Sequence, residues 1–109
     1  MVEDTQLVSD TRERDEISAL LASGLETEVF PRADTHEAVQ EIVARLRTVD
    51  GDLKAKLVIA GFTDHPIEHG GIEQPCETCM YYLVHRKYCE LPELACSVEP
   101  EWSCRLWRI

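Results

Sequence analysis

Apolar residues recur at helical spacing in two stretches of this chain and run together or alternate in two others. Asp10 followed by Glu13 makes a capping-box-like start. Ile17, Leu20 and Leu21 then fall on one face and Gly24 supplies a stop, which predicts a helix over about residues 11–23 after a loose arm at 1–9. The clearest pattern follows Asp34 and Glu37. Val39, Ile42, Val43, Leu46 and Val49 form a stripe ended by Asp50-Gly51, predicting a helix over about 35–48 with Glu41 and Arg45 paired four apart on its outer face. Between these helices LETEVF (25–30) alternates and meets Pro31, which reads as a short strand. After them KLVIAGF (56–62) is continuously apolar and reads as a buried strand.

The expected fold class is therefore α+β: a helix-strand-helix-strand, βαβ-like body over residues 10–62, followed by something less regular. Residues 63–75 (TDHPIEHGGIEQP) have the composition of a linker, because Gly70-Gly71 and two prolines interrupt regular structure. A two-stranded sheet with two helices is thin. It needs cover from the rest of the chain, or a second copy docked through the acidic body as a homodimer.

Residues 76–109 change the picture. All five cysteines lie there, with both tryptophans and all three tyrosines. Cys76-x2-Cys79 is the leading signal. If it opens a helix, which MYYLVHRKY would permit, two sulfurs sit on one turn and the free N–H groups there lower the thiol pKa. Cys89, Cys96 and Cys104 follow singly. Four thiolates suffice for a tetrahedral Zn2+ or for an iron–sulfur cube. Structural zinc sites usually bring two close pairs, whereas single ligands on long loops suit a larger body that the chain wraps around.

Charge narrows the field further. The 109 residues carry 21 acidic and 11 basic side chains, a formal net charge of −10. Residues 1–75 hold 16 acidic and 7 basic groups, residues 76–109 hold 5 and 4. The body would repel phosphate, so nucleic acid is excluded as its partner. Few lysines beside many carboxylates fit a halophilic protein, whose self-repulsion salt screens. No apolar run nears the roughly 20 residues a membrane helix needs. MVEDTQLVSD lacks the marks of a signal peptide, so a cytoplasmic location is expected, with thiols kept reduced.

From Cys76 onward the chain resembles the cluster-binding segment of high-potential iron–sulfur proteins. The resemblance rests on Cys76-x2-Cys79 with Tyr81 and Tyr82, on Cys89-Glu90-Leu91-Pro92, and on Val98, Trp102-Ser103-Cys104 and Trp107. It implies a [4Fe–4S] cluster on Cys76, Cys79, Cys89 and Cys104, shielded by Tyr81, Tyr82, Trp102 and Trp107. It covers the last third of the chain. Ser103 is inserted between Trp102 and Cys104, Glu101 stands where the family has Gly, and Cys96 is an additional thiol. Cys96 is either a buried apolar residue or an alternative fourth ligand.

The expected function is a [4Fe–4S] protein for electron transfer to a protein redox partner, or an accessory subunit. The alternative is a structural zinc module that holds an interaction partner. A thiol oxidoreductase built on the CxxC is a third reading, weakened by the linker before Cys76. No catalytic constellation, phosphate loop or GxSxG motif is present. His65, His69 and His85 read as surface residues.

Overall fold

The computed structural model describes the backbone of residues 2–108 and the side chains of residues 7–108. Its elements are α1 (Val2–Ala22), α2 (His36–Arg47), α3 (Leu53–Ala60), β1 (Glu68–His69), β2 (Ile72–Glu73), a 3-10 turn (Cys76–Thr78), β3 (Tyr82–Leu83), β4 (Tyr88–Cys89) and β5 (Cys96–Ser97). The fold is mixed α+β, as the pattern implied. The strands, however, lie in the second half of the chain. β1 and β2 form one antiparallel pair, and β3-β4-β5 form an antiparallel sheet in that order.

α1 begins well before Asp10, so residues 2–9 are helical and not an arm. No glycine or proline precedes Gly24, and Gly24 ends the helix at φ 91°. Asp10 and Glu13 are not caps. Both sit inside α1 and reach the C-terminal half. Asp10 is buried and takes two hydrogen bonds from the Arg86 guanidinium, at 2.6 and 3.0 Å. Glu13 accepts the Ser97 N–H at 2.6 Å, and Arg14 donates to the carbonyls of Val98, Arg86 and Lys87. Among the described residues of this helix, Ile17 is the fully buried apolar one. α1 is thus fastened by polar groups more than by an apolar stripe.

α2 matches its pattern closely. Val39, Ile42, Val43 and Leu46 are buried. Thr35, not Asp34, is the cap, accepting the Ala38 N–H at 3.1 Å. Arg45 pairs with Glu28 in a two-pronged ion pair and not with Glu41.

The two body strands are not formed. Residues 53–60 are helical. A short apolar run does not distinguish a buried strand from a buried helix by periodicity. The flanks decide it. Asp52 accepts the Ala55 N–H at 3.1 Å as N-cap, and Gly61 ends the helix in the left-handed conformation at φ 66°, ψ 44°. Residues 25–30 consequently have no strand to join. They run along α3 instead, with Glu28 N–H donating to Val58 O at 2.9 Å and Thr27 Oγ1 to Phe62 O at 2.8 Å.

Residues 63–75 are built into the fold. Gly70 and Gly71, at φ 62° and 80°, form the two-residue turn between β1 and β2. Thr63 exchanges backbone hydrogen bonds with Ser103, and Gln74 is buried. The core does not divide at residue 75: Leu46, Leu57 and Phe62 share one buried cluster with Leu94, Val98, Trp102 and Leu106.

Gly61 is the tightest backbone approach in this arrangement. A Cβ there would lie 2.3 Å from the Glu28 carbonyl oxygen, on top of the left-handed strain. Gly61→Ala is expected to cost about 2 kcal/mol or more. Gly24→Ala, with open space around it, is expected to cost about 1 kcal/mol. Urea unfolding midpoints of the two variants test the order.

Candidate metal centre

The CxxC segment does not open an α-helix. Cys76–Thr78 make a single 3-10 turn and the chain then enters the β3–β4 hairpin. Tyr81, Tyr82, Leu83, Val84 and Tyr88 favour a pleated surface over a helix. The turn still brings the first two cysteines together, with the Cys79 N–H donating to Cys76 O at 2.9 Å. Cys89 arrives on β4, with Tyr82 its partner across the sheet.

Cys104 arrives on a C-terminal segment laced between both halves. Cys76 N–H donates to Trp102 O at 2.6 Å, Glu77 N–H to Pro100 O at 3.0 Å, and Met80 N–H to Arg108 O at 2.7 Å. On the other side Arg105 N–H donates to Ala60 O and Ala33 N–H to Arg105 O. The Trp107 indole N–H reaches both Pro75 O and Thr78 Oγ1 at 3.0 Å, locking the segment onto the turn.

These paths converge. Cys76, Cys79, Cys89 and Cys104 line one cavity together with Phe62, Tyr82, Val98 and Trp107. The cavity is small, about 20 Å³, room for roughly one water. Cys96 does not line it. It is buried in the core on β5, opposite Cys89 in the strand register. Of the four aromatic residues expected as shields, Tyr82 and Trp107 face the cavity, while Tyr81 and Trp102 pack in the core around it. Phe62 was not foreseen, because the strand read over 56–62 gave it no direction. His65, His69 and His85 are away from the cavity; His69 bonds Asp34 and His65 bonds Asp64.

Among the described residues, no group of three or more His, Cys, Asp or Glu side chains is placed to hold a metal ion. A tetrahedral zinc at about 2.3 Å from each sulfur would require the four thiols to converge on one point.

Burial dominates their electrostatics. The Cys76 thiol is pushed well above its ordinary range, first by burial and then by charge on Cys104, Cys89 and Cys79. Cys89 is pushed up to about 12 by burial, against a lowering from the Leu91 N–H. Cys104 is raised by burial and by Cys89 and Cys79, while the Leu106 N–H lowers it. The reading that the CxxC turn lowers its thiol pKa therefore fails for Cys76. One short turn offers too little dipole to offset desolvation. Cys96 takes part in the same couplings: its charge raises Cys76, and Cys89 and Cys104 raise Cys96, so the couplings do not set the four lining thiols apart.

No protein-family model, characterised protein or solved structure matches the chain. No described helix is long and apolar enough to cross a membrane.

Raised thiol pKa values carry a stability consequence for the metal-free protein. In the unfolded chain cysteine ionises near 8.5. The folded thiol at Cys89 holds its proton to about 12. Between these values the folded state binds more protons, so stability is full below about pH 8.5 and falls as pH rises toward about 12. Metal-free protein is expected to show a lower urea midpoint at pH 9.5 than at pH 8. The Cys89→Ser, Cys104→Ser double variant should show a shallower fall.

Proposed function

We propose that this chain holds a [4Fe–4S] cluster on Cys76, Cys79, Cys89 and Cys104 and works as a small electron-transfer protein or an accessory subunit. One observation carries the reading: four of the five thiols, on three separate stretches of backbone, line a single cavity whose remaining walls are Phe62, Tyr82, Val98 and Trp107. The donor set fits the group. It offers four sulfurs and no carboxylate or imidazole.

When bound, such a cluster supplies one-electron oxidation and reduction without making or breaking a bond to substrate. The chain's own residues do the rest. The four thiols bind as thiolates and release their protons on loading. Phe62, Tyr82, Val98 and Trp107 exclude water, and solvent exposure is one of the determinants of potential. The Leu91 and Leu106 N–H groups stabilise negative charge on Cys89 and Cys104. With every position taken by a thiolate there is no open site for a substrate, which supports a carrier and not an enzyme. The partner is then a protein that gives or takes one electron.

Protein loaded anaerobically with iron and sulfide is expected to hold about four of each per chain and to absorb in the visible. Serine at position 76, 79, 89 or 104 should lose most of that iron, and Cys96→Ser should keep it. One zinc per chain with no visible band would sink the electron-transfer reading and favour the structural zinc module.

A further inference from the structure

Two arginines are buried, each about 5 % exposed, and they are not alike. Arg105 has a carboxylate partner, Glu28, at 3.2 Å. Arg32 has none among the described residues. Its guanidinium donates to Gln74 Oε1 at 2.7 and 3.0 Å, to Ser103 Oγ at 3.1 Å, and to the carbonyl oxygens of Cys104 at 2.7 Å and Val29 at 3.4 Å. Every one of these acceptors is neutral.

Burying a charge without a counter-charge costs several kcal/mol, and good hydrogen bonds to neutral groups offset only part of that. A residue kept in this state implies a counter-charge that the protein atoms alone do not supply. The anchoring points to where it lies. Arg32 is held on the backbone of Cys104 itself, and through Ser103 on the residue before it. Burial lowers its pKa. Charge on Cys104 is the leading opposing influence, Asp34 follows, and Cys76 also contributes. Asp34 is exposed and bonded to His69, so it serves poorly as an internal partner.

We infer that Arg32 is the counter-charge of the four-cysteine centre, a positioning residue that stabilises its more negative state and thereby raises its reduction potential. This rests on the cluster reading above. It also gives a role to Ser103, the residue inserted in the Trp-Cys step, whose hydroxyl takes one of the guanidinium's hydrogen bonds. Gln74 takes two, and as a neutral amide it holds Arg32 without cancelling its charge.

The test compares midpoint potentials of iron- and sulfide-loaded protein by spectroelectrochemical titration, a property that loss of a merely structural contact does not shift in a charge-dependent way. Arg32→Gln is expected to change the reduced-to-oxidised ratio at fixed potential at least tenfold toward the oxidised form, about 59 mV for one electron. Arg32→Lys should recover most of the shift. Gln74→Glu, which gives Arg32 a local carboxylate, should move the potential in the same direction as Arg32→Gln. Arg47→Gln, at an exposed residue 3.7 Å from Glu93, should leave it unchanged. Wild-type potentials in both Arg32→Gln and Gln74→Glu, with iron content intact, would overturn the inference and leave the cluster reading standing. If Arg32→Gln does not fold, Gln74→Glu decides alone, and an unchanged potential there overturns it. Wild-type protein that takes up neither iron nor sulfide defeats the cluster reading, and this inference falls with it.

Discussion

The C-terminal backbone from Trp102 to Arg108 is the constraint on which the rest of the structure depends. It bonds to Cys76 and Met80 on one side and to Ala33, Ala60 and Thr63 on the other. It adds to the contacts of α1 and to the shared apolar core that already join the helices to the β3-β4-β5 sheet. With it, Cys104 is delivered to the mouth of the CxxC turn, and Phe62 at the end of α3 is pressed onto the same cavity. A chain of this size buries a modest core. Here one segment joins its two halves and at the same time closes the site.

The polar fastening of α1 follows the same logic. Asp10, Glu13 and Arg14 take hold of the β3–β4 turn, which leads into Cys89 on β4, and of β5, which carries Cys96. Side-chain bonds to backbone are directional, so they set the position of the sheet more sharply than a greasy contact would. The sheet strands are two residues long and gain little from their own ladder. Their position is held from outside, by the helix above and the C-terminal segment below.

How much of this the sequence discloses depends on the range of the signal. The α2 stripe is local and complete, and its four central positions are the buried ones. Cys76, Cys79, Cys89 and Cys104, the set that the family resemblance implies, are the four that line the cavity, and Cys96 is not among them. What failed was read from strings whose meaning is set by distant partners. KLVIAGF is strand or helix according to its caps, and Asp52 and Gly61 were the caps to weigh. LETEVF alternates like a strand, yet it lies beside a helix and pairs with no strand. Asp10 and Glu13 look like a cap because their partners, Arg86 and Ser97, are more than seventy residues away. Arg32 left no local mark at all: its environment is assembled from positions 29, 74, 103 and 104.

The distribution of charge gives the arrangement a further consequence. Most of the excess acid lies in residues 1–75, at the surface, where salt screens it over about 8–10 Å. Arg32 belongs to the same stretch of sequence but is enclosed, and mobile ions do not reach it. As ionic strength rises, the repulsion that exposed carboxylates would exert on the proposed cluster fades, while the attraction from Arg32 remains. A chain with a net charge of −10 thus keeps a fixed positive field beside its thiols that is insensitive to salt. Beside the proposed cluster, one enclosed cation counts for more than several exposed ones.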